Sequence, residues 1–324
     1  MSPPSLQSSA PSGAAAPAKV PVAWADRRFL AALILLGGTY VVLLLAMVAA
    51  DLFYTTPGHL WRALGSPEIQ YAIRLSLLSC TLTTLLSLWV AVPIGYLMAR
   101  FEFPGRAILD ALLDIPIVLP PLVIGLSLLI LFQTAPLRAL ETVFPVTYAV
   151  PSVILAQFMV ACAFAVRTLR TTFAQINPRQ EQVAMTLGCN RAQAFWRVVL
   201  PAARPGILTA ATLSWARALG EFGPILVFSG ATRMKTEVLP TTVFLELSVG
   251  RLEAAVAVSL LMMGSAVVAL FLVRTWGGTG SRESLLFETD DLPPSHHYPG
   301  REFPPSGSLD GDSHRKPYRS HGAP

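Results

Sequence analysis

The sequence predicts an all-α integral membrane protein whose chain crosses the bilayer six times. Hydrophobic residues make up 53% of the chain and charged residues only 13%, about half the roughly 25% that is typical of soluble domains. At about 1.5 Å per helical residue, six apolar stretches are long enough to cross a hydrocarbon core of about 30 Å. The six predicted transmembrane helices cover residues 29–50, 71–98, 109–132, 149–166, 206–229 and 254–273.

The two ends of the chain differ in composition from this apolar body. Residues 1–27 are rich in Ala, Pro and Ser, and residues 276–324 are rich in Pro, Gly, Ser and charge, so neither end can bury enough apolar surface to fold. We expect two disordered cytoplasmic tails around a single transmembrane domain, residues 28–275. The second tail holds four of the five histidines, but their spacing fits no compact metal site, and no metal is predicted.

The arginines predict the orientation in the membrane. Arg27 and Arg28 precede the first span and Asp51 follows it, and the connection between the fourth and fifth spans is the most basic internal connection. Because Lys and Arg concentrate in cytoplasmic loops, we expect both termini and this connection on the cytoplasmic side of the inner membrane. No basic stretch is interleaved with aromatic residues, which argues against nucleic-acid binding.

A stripe of small polar residues runs along the second span. Ser76, Ser79, Thr83 and Ser87 follow a helical spacing and fall on one face. Membrane helices use such stripes routinely to pack closely against one another, and packing is the favoured interpretation. The alternative is a lining of the translocation pathway, for which Ser76, Ser79 and Thr83 are candidates.

Prolines interrupt the third span. Pro116, Pro120, Pro121 and Gly125 break its backbone hydrogen-bond ladder. Broken backbone at membrane depth is tolerated only beside protein or a water-filled cavity. This helix is therefore predicted to lie in the interior, and Pro120 and Pro121 are candidates for the translocation pathway.

The connection between the fourth and fifth spans predicts two short helices. Asn177 can cap a helix that Gly188 closes, and Asn190 with Gln193 repeats the start of a helix. Because proline interrupts a helix, the second one is predicted to end at Pro201. The expected product is a helix, a glycine turn and another helix.

The same connection carries Gln-Val-Ala at 182–184, Gly188, and Val-Val-Leu-Pro at 198–201. This set resembles the cytoplasmic coupling loop of the membrane subunits of binding-protein-dependent ABC importers, whose pattern is E-A-A, three residues, Gly, nine residues and Ile-x-Leu-Pro. The spacing, the glycine and the Leu-Pro end match, whereas the glutamate stands one residue early and a valine replaces the isoleucine. The candidate ATPase-coupling residues are Glu181, Gln182, Val183, Ala184, Gly188, Leu200 and Pro201.

The resemblance implies the partners of the chain. These importers pair two membrane subunits with an ABC ATPase dimer, which binds ATP and Mg, and with an external substrate-binding protein; a homodimer of this chain in membrane lipid is expected. The sequence contains no GxxxxGK[ST], HExxH or GxSxG motif, so the chain is predicted to be no enzyme and to hold no cofactor of its own.

The fifth span narrows the substrate class. It contains SWARALGEFGPILVFSG at 214–230, which is similar to a segment that sulfate, molybdate and tungstate permeases share. Six residues match the shared pattern: Arg217, Leu219, Gly220, Glu221, Phe222 and Gly223. The resemblance implies a tetrahedral oxyanion, with molybdate or tungstate ahead of sulfate, and an importer of another small solute remains the alternative.

Arg217 and Glu221 are charged residues inside a predicted span, which makes them functional candidates. They are four residues apart, so they can pair on one helix face, either to fix packing or as part of a gate with Gly220 and Gly223. Two rival classes remain. A membrane-embedded enzyme would need a cluster of His, Cys or carboxylate residues at membrane depth, and the sequence shows none in its predicted spans. The other rival is a secondary transporter. It would be expected to show inverted repeats and several intramembrane carboxylates, whereas only Glu221 lies well inside a span.

Overall fold

The computed structural model describes residues 24–277, and its regular structure there is entirely helical. The helices are α1 (Trp24–Tyr54), α2 (Pro57–Gly65), α3 (Pro67–Arg100), α4 (Arg106–Val118), α5 (Pro121–Phe132), α6 (Ala135–Val143), α7 (Val150–Gln175), α8 (Pro178–Thr186), α9 (Arg191–Ala194), α10 (Leu200–Ala202), α11 (Arg204–Leu219), α12 (Gly223–Phe228), α13 (Leu239–Ser248) and α14 (Leu252–Gly277), with a π-helical turn at Phe195–Val199. The predicted disordered tails lie outside the described residues, except that α1 and α14 extend a few residues into them.

Among the described helices, four are long and apolar enough to cross a membrane unbroken. They are Phe29–Tyr54 in α1, α3, α7 and Leu252–Phe271 in α14. A fifth crossing results if α4 and α5 form one bent span. The predicted fifth span, 206–229, is divided between α11 and α12 by a non-helical break at 220–222, so the structure does not present six continuous spans.

The third predicted span is more sharply divided than the sequence indicated. Helices α4 and α5 meet at an angle of 112°. Leu119 and Pro120 between them are extended, with ψ angles of 140° and 133°. Because a proline disfavours helical backbone in the residue before it, the consecutive Pro120 and Pro121 end α4 and restart the chain in a new direction.

The fourth predicted span is longer than expected. Helix α7 continues to Gln175, although its predicted end was residue 166. Arg167 and Arg170, which follow the predicted end of the span, lie within the helix and pair with Asp114 and Asp110 of α4. These pairs fasten α4 along the second half of α7.

The polar stripe of α3 is buried against α7 and α13. Ser76, Ser79 and Thr83 are all buried. The Thr83 hydroxyl donates to Gln157 Oε1 of α7 at 3.2 Å, and Ser76 Oγ accepts a hydrogen bond of 2.8 Å from the Leu239 amide. The packing role favoured by the sequence accounts for these contacts.

Candidate functional site

The connection between α7 and α11 has the local structure that its caps predict. The Asn177 side chain accepts a hydrogen bond from the Arg179 amide at 3.0 Å. Asn190 and Gln193 form a complete capping box, with bonds of 2.8 and 2.9 Å. Gly188 has a φ of +94°, a left-handed conformation that glycine adopts without steric cost, so the chain reverses between α8 and α9.

The sequence predicted that the second short helix ends at Pro201, but the helical path continues through this residue. A π-helical turn follows α9, and α10 carries the helical path through Pro201 to Ala202. The Leu200 amide bonds to the Phe195 carbonyl, five residues back. We attribute the continuous helical path to this wider turn, because it shifts the backbone hydrogen-bond register just before Pro201, which has no N–H group.

Helix α8 has two chemically different faces. Glu181 and Ala184 are buried against the rest of the chain, whereas Gln182 and Val183 face outward. Leu187 is 80% exposed, and Trp196 of the π-helical turn is also exposed. We call Val183, Leu187 and Trp196 the apolar loop face. Leu200 and Pro201 are half-buried beneath the loop.

Glu181 points toward α3 rather than outward. Its Oε1 accepts a hydrogen bond of 2.6 Å from the Tyr96 hydroxyl, and its Oε2 lies 3.6 Å from Arg100 Nε. Sequence reasoning missed Tyr96 and Arg100. No local pattern joins them to Glu181, because Tyr96 lies 85 residues earlier in the chain.

Two of the predicted pathway residues meet where α5 and α12 pack together. A Cβ atom added at Gly223 would lie 2.9 Å from Pro121 Cβ, and one at Gly125 would lie 2.8 Å from Pro224 Cα. Both distances are shorter than real Cβ contacts, so each glycine is required for this close approach. Pro120, the remaining proline candidate, is exposed at the start of α5.

Arg217 and Glu221 form an ion pair across the end of α11. Arg217 NH1 lies 2.6 Å from Glu221 Oε2, with the side chains 30% and 1% exposed respectively. The guanidinium also lies 5.8 Å from the centre of the Phe164 ring. Arg217 belongs to the last turn of α11 and Glu221 to the break at 220–222. The ion pair therefore joins the end of α11 to the break. Gly220 ends α11, and a Cβ there would meet nothing closer than 3.8 Å.

A second charged cluster, which the sequence did not reveal, lies between α12 and α14. Arg233 NH2 donates to Glu246 Oε1 at 2.7 Å, and Arg233 NH1 lies 3.6 Å from Glu237 Oε1. Arg251 Nε lies 3.2 Å from the other Glu246 oxygen. Glu237 is fully buried, and this burial raises the pKa of its carboxyl group. The hydrogen bond to Glu246 raises the pKa of Arg233.

Residues 91–277, which include the loop, the α5–α12 contact and the Arg217 pair, match the family model described as "Binding-protein-dependent transport system inner membrane component". The chain belongs to this family. It is therefore a multi-pass membrane protein of the transport-permease type, and its relatives are transport permeases.

Proteins with similar sequences are named as permeases for molybdenum, sulfate or molybdate/tungstate. A probable molybdenum ABC transporter permease protein of Haloferax volcanii is 36% identical over 244 residues, which cover 75% of this chain and 89% of the relative. A sulfate transport system permease protein of Escherichia coli is 31% identical over 218 residues, or 66% and 79% of the two chains. A molybdate/tungstate transport system permease protein of Thermococcus kodakarensis is 35% identical over 193 residues, or 59% and 74%.

The fold agrees with the family. A chain in the crystal structure of a bacterial alginate ABC transporter, bound to a periplasmic protein that carries an alginate pentasaccharide, is similar with a TM-score of 0.63. The match covers 78% of this chain and 96% of that chain at 17% sequence identity. It supports the overall arrangement of the helices.

Proposed function

We propose that this chain is the permease subunit of an ATP-driven importer of a tetrahedral oxyanion, with molybdate or tungstate ahead of sulfate. The observation that carries the proposal is the 31–36% identity, over most of the chain, to permeases named for molybdenum, molybdate/tungstate and sulfate. The run from Arg217 to Gly223 supports the same substrate class, since its residues resemble the segment that those permeases share.

The partners follow from the same proposal. An ABC ATPase dimer binds ATP and Mg, an external binding protein delivers the oxyanion, and two copies of this chain form a homodimer that crosses the bilayer in six spans per copy. The chain lies in the inner membrane with both termini and the loop between α7 and α11 in the cytoplasm, because the arginines concentrate there.

The loop is proposed to couple ATP hydrolysis to transport. The three large apolar side chains of this face are exposed on an otherwise polar connection, and we infer that a partner covers them. A cleft of the ATPase would cover it. Closure of the ATPase dimer then moves α8 and α9 as one unit, and the motion reaches α7 and α11, the two helices that the loop connects.

Reconstitution tests the function directly. The chain is placed in vesicles with its ATPase and binding protein, and uptake of labelled molybdate is measured with and without ATP, in competition with unlabelled tungstate or sulfate. We expect uptake that requires ATP and that tungstate inhibits at lower concentration than sulfate. Stronger inhibition by sulfate would reassign the substrate, and uptake driven by a proton gradient without ATP would support a secondary transporter instead.

One charge introduced into the apolar loop face is expected to weaken docking of the ATPase. Leu187→Asp is expected to weaken association with the ATPase by roughly tenfold or more, since a buried anchor residue contributes about 2 kcal/mol or more to an interface. Val143→Asp is the matched control, because Val143 is 84% exposed on α6, away from the loop. Co-purification of the ATPase, titrated by concentration, measures both. Equal association of the two variants would contradict docking on this face.

A further inference from the structure

We infer that Glu181 is a positioning residue that fastens the loop to α3 through Tyr96 and Arg100, and that it does not contact the ATPase itself. We call Tyr96, Arg100 and Glu181 the loop anchor. The inference rests on the proposed function, because it names the path by which loop motion enters the transmembrane helices.

The burial of the two charged side chains places this part of the anchor inside the subunit. The Glu181 and Arg100 side chains are only 10% and 9% exposed. Glu181 lies on the opposite side of α8 from Val183 and Leu187, which face outward. A partner that covers the apolar loop face therefore does not reach the carboxylate, whose oxygens already face Tyr96 and Arg100.

Tyr96 touches both halves of the loop. Its hydroxyl donates to Glu181 in α8, while its ring lies 4.7 Å, centre to centre, from the ring of Phe195, which follows α9. The ring also meets Phe173 of α7 edge to face at 5.8 Å. One side chain of α3 therefore contacts the helix that enters the loop, α8 within it and the π-helical turn that follows α9.

Arg100 ties the start of the loop to the same end of α3. Its NH2 group donates to the carbonyl of Ile176 at 2.8 Å, directly after the last turn of α7. Arg100 thereby places its charge near the carbonyl end of α7, where a cation is favourable, and next to the Glu181 carboxylate. Loss of either charged partner leaves the other nearly buried without its counter-charge, which is unfavourable.

Helix α3 can carry the motion across the subunit. Next to Tyr96, a Cβ atom at Gly95 would lie 3.0 Å from the Arg170 amide nitrogen, so α3 and α7 are in close contact at the anchor. Near its other end, Ser76 of α3 accepts the Leu239 amide at the start of α13. A displacement of the loop is thus passed to α3 and, through it, to the connection that precedes α14.

Four variants test the anchor in the reconstituted complex. Glu181→Gln removes the charge, Tyr96→Phe removes the hydroxyl, and the double variant removes both. Glu102→Gln is the control, since the Glu102 side chain is 96% exposed just after α3. For each, we measure the amount of ATPase bound, ATP hydrolysis with and without loaded binding protein, and oxyanion taken up per ATP hydrolysed.

We expect both single variants to bind the ATPase normally and to lose uptake per ATP by roughly fivefold or more, the lower end of typical coupling free energies. The double variant should lose no more than the larger single loss, because both changes act on the same three-residue anchor and their effects should not add. Glu102→Gln should match the unsubstituted chain.

Other results would overturn the inference. Weaker ATPase binding in Glu181→Gln, with normal coupling in Tyr96→Phe, would make Glu181 a direct contact. Unchanged uptake per ATP in all variants would reduce the anchor to packing. The unsubstituted chain distinguishes failure of the anchor inference from failure of the proposed function. If the unsubstituted chain shows no ATP-dependent uptake, the proposed function fails and the anchor inference fails with it.

Discussion

Gly125→Val is expected to abolish most uptake by forcing α5 and α12 apart. A Cβ atom at this position would lie 2.8 Å from Pro224 Cα and 2.9 Å from the Pro224 carbonyl oxygen. Both atoms belong to the backbone, so no side-chain rotation relieves the collision. Ile225 and Phe228 of α12 are fully buried, which leaves this short helix little room to move away. Adding atoms to a well-packed core costs about 1–3 kcal/mol of stability.

Gly264→Val is the matched control for this substitution. It places the same β-branched residue within α14, where an added Cβ meets nothing within 4 Å. The measurements are the yield of assembled complex, its thermal unfolding and its uptake. We expect Gly125→Val to lower uptake by about tenfold or more, as a loss of about 1.4 kcal/mol or more would produce, and Gly264→Val to leave it near normal. Normal uptake in Gly125→Val would mean that α5 and α12 separate during transport without loss.

The features that the sequence predicted correctly depend on neighbouring residues. The capping box at Asn190 follows from Gln193 three positions later, and the turn at Gly188 follows from the glycine itself, so both are visible in the printed chain. The pattern by which the loop resembles the family likewise lies within one short stretch, residues 182–201. The four long unbroken helices were predicted from composition and length alone, although the end of α7 was placed too early.

The features that sequence reasoning missed depend on tertiary contacts. Pro120 and Pro121 predict a break, but the direction of the 112° bend depends on where α5 packs against α12. Glu181 was a candidate contact to a partner, and only the fold shows that its carboxylate faces Tyr96 and Arg100. Residues so far apart in the chain form no periodic pattern, so their contact cannot be predicted from the sequence.

Loss of either partner in the Arg217 and Glu221 pair is expected to have unequal effects. Arg217→Leu leaves a carboxylate that is 1% exposed without the cation 2.6 Å away, at a cost of roughly 3–5 kcal/mol for an uncompensated buried charge. Glu221→Leu leaves a guanidinium that is 30% exposed and 5.8 Å from the Phe164 ring centre, so part of its stabilisation is retained. Arg217→Leu should therefore reduce the assembled complex more strongly.

The double variant, Arg217→Leu with Glu221→Leu, separates packing from gating. Assembly should return, because apolar replacements of buried ion pairs are often neutral or stabilising. We expect uptake per assembled complex to stay low, since the pair holds the break at 220–222 against the end of α11, just before α12, which packs on α5. Full recovery of uptake in the double variant would show that the pair only fixes packing. Full activity in Arg217→Leu alone would show that the ion pair is not required for transport, since a buried carboxyl group without its cation can become protonated instead of staying charged.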